Sequence, residues 1–233
     1  MTTEDPLRMR FVVATMLLVA GCNTYGALTQ AGPRFALLST TVTLALLVAW
    51  TAYRRDPVLT RWLIIGFVAG WLETATDAWL VAQTGTLLYP PGEPMVWESP
   101  LYMPLAWTIV LTQIGVVGGW LLQRMSLVRA TLLCALLGGS SIPLYDHLAH
   151  DAGYWTYVNT PMLWNAPLYV IVAEFLLALP LVWMHRQAVA RPWPFSLWLG
   201  VLAGVWMLPS VLLAWWLVGP CQGAVLQFAC LAT

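Results

Sequence analysis

Lysine is absent from this chain of 233 residues, and all ten basic residues are arginine. The acids also number ten, so charged residues make up only 9% of the sequence, against roughly 25% in soluble domains. With 60% of its residues hydrophobic, the chain has too little polar surface to fold in water, and lipid is the expected solvent. A formal net charge of zero gives the chain no overall excess of positive charge to neutralise a polyphosphate backbone, which argues against nucleic acid as a partner. Cysteine is scarce as well. Cys22, Cys134, Cys221 and Cys230 have no zinc spacing. Cys221 and Cys230 share a polar tail and could pair in an oxidising compartment. Val19-Ala20-Gly21-Cys22, following Arg8, Arg10 and an apolar run, looks like a lipoprotein signal, although a lipoprotein with many spans would be unusual. The terminal Cys230-Leu-Ala-Thr imitates a prenylation box.

What the chain does have is tryptophan, fifteen of them, and long apolar runs. Stretches able to cross about 30 Å of hydrocarbon occupy roughly 11–31, 35–53, 61–83, 101–123, 127–145, 162–185 and 194–218. No soluble domain fits between them, so residues 1–233 read as a single integral membrane domain: an all-α, polytopic bundle of about seven transmembrane helices. Gly32-Pro33, Asp56-Pro57, Pro90-Pro91-Gly92, Ser99-Pro100 and Arg191-Pro192 mark the boundaries. Ser99 before Pro100 reads as an N-cap with proline in the first turn. Interfacial belts account for about half of the tryptophans; the rest fall too deep for a belt.

Nine arginines flank the spans on one side: Arg8, Arg10, Arg54, Arg55, Arg61, Arg124, Arg129, Arg186 and Arg191. Only Arg34 falls on the other. By the positive-inside rule the N-terminus is cytoplasmic and the C-terminus outside, which also puts the prenylation-like box on the wrong side. The loops 84–100 and 146–161 contain no arginine and face outward. A bacterial plasma membrane is the expected location.

The pattern W-x-x-P-L-Y-x-x-x-A occurs at Trp97–Ala106 and again at Trp164–Ala173, 67 residues later. It predicts tandem similar hairpins, one from the third and fourth spans and one from the fifth and sixth, in parallel orientation. Substrate sites often lie between such repeats.

Ionisable groups inside spans are costly, and function is their default explanation. Glu73 and Asp77 stand four residues apart on the third span, on one helical face. Glu174 lies in the sixth span, and Asp146 closes the fifth on its outer side. At 1.5 Å per residue, Asp77 would lie roughly 9 Å below the outer helix end, Glu73 roughly 15 Å and Glu174 roughly 18 Å. No arginine shares that depth, and desolvation without a cation favours the neutral carboxylic acid. Such an acid can donate a proton to an unreactive acceptor. The bland alternative is that each acid is hydrogen-bonded glue between helices. Glu98 and Asn165 occupy equivalent places in the repeat, just before an outer helix end.

Tyr145-Asp146-His147-Leu148-Ala149-His150-Asp151 has a composition that could support a metal. His147 and His150 sit in an expected loop or frayed helix end, and His185 is on the opposite side, so a third imidazole is missing; polar capping at the interface is the simpler reading. Trp71, Trp79, Glu98, Tyr102, Trp107, Trp155, Tyr157, Trp164, Asn165 and Tyr169 fall in the acids' half of the bilayer. A subset would make a π-rich cavity suited to a polyene or polyprenyl ligand and able to stabilise a carbocation.

Three segments carry a resemblance. The first runs from Glu73 to Thr84-Gly85 and Tyr89. The second is Pro100-Leu101-Tyr102-Met103-Pro104-Leu105-Ala106-Trp107. The third is Tyr145-Asp146-His147, then Gly153-Tyr154-Trp155-Thr156-Tyr157, then Pro167-Leu168. Together, residues 65–185 resemble the membrane carotenoid-biosynthesis proteins: the carotenoid hydratases and, more distantly, the bacterial and archaeal lycopene cyclases. His147 replaces a proline of that family's pattern. Size and helix number are also similar to those of the small integral-membrane terpene cyclases. The resemblance implies Asp146 as proton donor and Glu73 as second acid.

The expected activity is that of a proton-initiated terpene or isoprenoid cyclase, with Asp146, Glu73, Asp77 and Glu174 as its catalytic acids. Its substrate would be a lipophilic isoprenoid, and neither a metal nor an organic cofactor is needed. The chain has no D-D-x-x-D motif, which argues against magnesium-assisted loss of diphosphate. A carotenoid hydratase or lycopene-type cyclase is the neighbouring alternative, decided by water access to the cation. A lipid- or pigment-binding protein and a proton-coupled transporter are the alternatives of another class.

Overall fold

The computed structural model describes residues 6–219. Cys221, Cys230 and the C-terminal box lie outside the described residues. Seven helical segments are long and apolar enough to cross a membrane. They are α1 (Pro6–Thr29), α2 (Pro33–Arg54), α3 (Pro57–Trp79), α4 (Tyr102–Leu122), α5 (Leu127–Asp151), the pair α6 (Leu168–Ala178) and α7 (Leu181–Ala190), and α8 (Phe195–Val218). A π-helical turn, Leu80–Thr84, continues α3. Pro180 separates α6 from α7, since it lacks the N–H the helical ladder needs. Asp56 caps α3 by accepting from the Val58 and Leu59 amides, with Pro57 in the first turn. The exterior is apolar: Leu28, Tyr53 and Trp198 are among the most exposed side chains, the pattern expected where lipid is the solvent.

The core is built by backbone proximity as much as by large side chains. α3 is central and packs on α4 and α8. Gly66 and Gly70 of α3 face α4 so closely that a Cβ on Gly66 would stand 2.6 Å from the Thr108 carbonyl oxygen. Gly200 and Gly204 of α8 approach α3 in the same way. Both pairs have the small-x-x-x-small spacing by which membrane helices gain van der Waals contact.

At one end of the bundle the loops 85–101 and 152–167 are knitted together. Strand β1 (Leu87–Leu88) pairs antiparallel with β4 (Thr156–Tyr157). Tyr102 at the start of α4 donates to the Tyr154 carbonyl at 2.6 Å. Tyr169 at the start of α6 meets the Thr86 hydroxyl at 2.9 Å. Each W-x-x-P-L-Y segment forms a tight β-hairpin. In the first, β2 (Met95–Val96) pairs with β3 (Ser99–Pro100); in the second, β5 (Met162–Leu163) pairs with β6 (Ala166–Pro167), in matching register. The turn residues Trp97 and Trp164 take φ of 60° and 57°, where glycine is usual. A bulky residue in that region carries strain of about 1–3 kcal/mol.

These hairpins correct several sequence expectations. Ser99 is not a helix N-cap: it lies in β3, α4 begins at Tyr102, and no side chain caps that helix. The sixth span starts at Leu168 rather than 162, because the chain first closes a hairpin. Glu174 therefore lies about 9 Å below the outer helix end, not 18 Å. The fifth span runs on to Asp151. Asp146 sits inside it, about 7 Å from its end, and His147 and His150 are helical rather than in a loop. Glu98 and Asn165 each occupy the second position of a hairpin turn.

Candidate functional site

Two adjoining hollows, about 130 and 60 Å³ in volume, lie between α3, α4, α5, α6 and α8. Five residues line both: Met103, Trp107, Tyr157, Val170 and Glu174. Asp146 lines the larger hollow, Glu73 and Asp77 the smaller, and Glu174 both. The acids form a series across the bundle. Glu73 stands beside Asp77 one turn on and within electrostatic reach of Glu174; Glu174 in turn interacts with Asp146. Among the described residues no arginine lines either hollow.

Each acid is held differently. Asp77 Oδ2 accepts from the Tyr89 hydroxyl at 2.5 Å and from the Ser99 hydroxyl at 2.7 Å. Both donors come from the loop between α3 and α4. Asp146 Oδ1 accepts from the Trp155 indole at 3.3 Å, while its Oδ2 is buried without a partner. Glu73 is in hydrogen-bond contact with the Asp77 carboxyl and approaches the Trp107 indole, while its Oε2 is buried and receives no hydrogen bond. Thr76 Oγ1, in the smaller hollow, is also buried without a partner, so three lining residues have a polar atom that lacks the hydrogen bond buried polar atoms normally make. Glu174, half-buried, makes no hydrogen bond through its side chain.

The β1–β4 strap supplies phenols that stay protonated. Burial, then the Asp77 and Glu73 carboxyls, raise the Tyr89 pKa well above its ordinary value. Burial, then Asp146, do the same for Tyr157. Both tyrosines therefore remain hydrogen-bond donors at neutral pH.

Of the aromatic candidates, Trp107, Trp155 and Tyr157 line the hollows. Tyr102 stands one layer behind, its ring 6.5 Å from that of Trp155. Trp79 and Tyr169 pack edge-on against Trp215. Trp71 is exposed on the lipid side beside Phe67. Trp164 is exposed over His147, whose Nδ1 meets the Asn165 amide at 2.9 Å. Glu98 is half-buried at its hairpin turn and lines neither hollow. Tyr89, Ser99 and Tyr145 were not among the sequence candidates for the site, although Tyr145 lines the larger hollow. Among the described residues no three His, Cys, Asp or Glu side chains are grouped to hold a metal ion; His147 and His150 each associate with Asp151 instead.

The protein is thus an all-α bundle with seven helices of membrane-spanning length, carrying carboxylic acids and aromatic rings around an internal hollow. A family model described as a domain of unknown function, DUF6989, matches residues 74–218, and the chain belongs to that family. The matched stretch includes Asp77, Asp146 and Glu174 and begins one residue after Glu73. No curated protein and no solved structure matches the chain.

Proposed function

We propose that this protein is an integral-membrane isoprenoid cyclase that starts cyclisation by protonating an alkene or epoxide with a membrane-embedded carboxylic acid. The observation that carries the reading is that Asp146 and Glu73, each with one carboxyl oxygen buried without a hydrogen bond, line hollows walled by Trp107, Trp155 and Tyr157. The neutral Asp146 carboxyl adds its proton to a terminal double bond, whose π pair becomes the new C–H bond. The cation left on the neighbouring carbon is attacked by the next double bond along the chain. Ring faces stabilise each cation. The last cation loses a proton to a carboxylate, either Asp146 itself, left ionised by the first step, or Glu174, which interacts with it and would hand the proton back, so the acid is restored and the overall change is an isomerisation. Water reaching the cation instead would give hydration.

The substrate would arrive through the bilayer. Ser141, on the rim of the larger hollow, is exposed on the same flank of α5 as Leu137 and Leu144. The resemblance to carotenoid hydratases, lycopene cyclases and small membrane terpene cyclases supports the same substrate class. In this reading the arginine-rich end is cytoplasmic, the C-terminus is external, and the membrane is a bacterial plasma membrane. The α3–α4 and α5–α6 units are then two copies of one ancestral hairpin, with the acids at their interface. The test incubates membranes holding the protein with polyprenyl and carotenoid substrates in deuterated water. One deuterium in a cyclised product is expected; consumption of no substrate in the panel counts against the reading.

A further inference from the structure

At the opposite end of the bundle lies a hollow of about 240 Å³, bordered by the start of α1, the end of α4 and α7. Its polar lining consists of Arg8, Arg10, Gln123, Arg124 and His185. Among the described residues no carboxylate lines it. Asp56 is engaged outside it, holding the Arg8 Nε at 2.7 Å while capping α3. Arg124 is engaged as well, 3.9 Å from the centre of the Trp120 ring and donating to the Trp120 carbonyl at 3.0 Å, so Arg10 is the guanidinium on which the test below turns.

His185 adds a donor of fixed direction. An indole N–H can only donate, and Trp62 Nε1 lies 3.0 Å from His185 Nδ1. Nδ1 therefore accepts, and the proton of the neutral ring sits on Nε2. The Gly115 carbonyl, 3.2 Å from Nδ1, then receives no hydrogen bond from the ring. The imidazole lies over Gly119, where any Cβ would run into the ring, and Gly119 itself lines the hollow. The pocket is thus lined by guanidinium, amide and imidazole donors, with its imidazole seated by a glycine.

We propose that this hollow binds a phosphate group, carried by an anionic lipid of the leaflet at the arginine-rich end. Guanidinium forks match phosphate oxygens, and basic pockets between membrane helices suit anionic headgroups. Arg10 is exposed and can be replaced without opening the core.

The test applies native mass spectrometry to the detergent-purified full chain with phosphatidylglycerol, cardiolipin or phosphatidylcholine. A parallel thermal-shift titration uses pyrophosphate. Adducts with the two anionic lipids but not phosphatidylcholine are expected. Arg10→Gln and His185→Phe should each weaken them about tenfold, the scale of a hydrogen bond to a charged group, with folding checked by the unliganded melting temperature. Arg34→Gln at the other end should leave them unchanged. Pyrophosphate stabilisation that depends on Arg10 and His185, without lipid adducts, supports the phosphate site and overturns the lipid as its source. Equal adducts with all three lipids, or anionic adducts indifferent to Arg10→Gln, overturn the proposal.

Discussion

Replacing Asp146 with asparagine separates a proton donor from a structural acid. The carboxyl accepts one hydrogen bond, from Trp155 into Oδ1 at 3.3 Å, and its Oδ2 has no partner. Asparagine keeps the shape and the acceptor and puts an amide where the second oxygen was. At most one weak neutral hydrogen bond is disturbed, about 1 kcal/mol, or a melting shift of about 2–4 °C for a chain of this size. The proton available to an alkene, by contrast, is gone. General acid catalysis contributes about 10²–10⁴-fold, so turnover should fall by at least about a hundredfold while the protein stays folded. The assay is the deuterium-incorporation experiment, run with membranes carrying equal amounts of folded protein. Glu73→Gln and Asp77→Asn are run alongside. Turnover within about twofold of the parent in all three variants would refute acid initiation and favour a binding protein. Loss of folding in Asp146→Asn would show that the carboxyl is a structural element.

Three further outcomes follow from other contacts. Impermeant thiol reagents should label Cys230 from the outer face only; labelling solely from the cytoplasmic face would invert the orientation. Ser99→Ala and Tyr89→Phe each remove one donor from Asp77 Oδ2, and each should cost about 0.5–1.5 kcal/mol if that acid is neutral, rising to about 1.5–3 if it is ionised. Losing most of that cost in an Asp77→Asn background, in a double-mutant cycle read by thermal melting, would assign it to this network. Burial, then the nearby Cys22, raise the Tyr154 pKa to about 12. The folded state therefore favours the neutral phenol: its contribution is complete below the unfolded value of about 10 and is lost as pH climbs through the folded one. Melting temperature should fall between about pH 10 and 12, less steeply in Tyr154→Phe. That variant should lose little stability at pH 7, because the hydroxyl is buried without a hydrogen bond; an identical pH profile in parent and variant would discard this assignment.

Composition and periodicity alone determined that seven apolar helices would form and roughly where, because solvent preference and helix breakers such as Asp56-Pro57 act locally. They also singled out Glu73, Asp77, Asp146 and Glu174, since an acid within an apolar run stands out without any knowledge of its neighbours. The repeated W-x-x-P-L-Y motif was equally visible, but its form was not: a proline after a serine suggests a helix start, and only the pairing of Met95 with Pro100 reveals a hairpin. Helix ends were misjudged where the apolar signal outran or fell short of the hydrogen-bonded ladder, and this changed the depth of Glu174. The choice among aromatics belonged to tertiary structure. Trp71 and Trp107 are both aromatic residues in membrane spans, yet one faces lipid and the other the hollow, because a bilayer rewards apolar surface on every side of a helix and leaves little amphipathic signal. The partners of Asp77 and Asp146 were decided in the same way. Ser99, Tyr89 and Trp155 lie 22, 12 and 9 residues from the acids they bind, and loop geometry brings them there. The pairing of β1 with β4 likewise joins loops some seventy residues apart, a contact fixed only when the helices beneath them have packed.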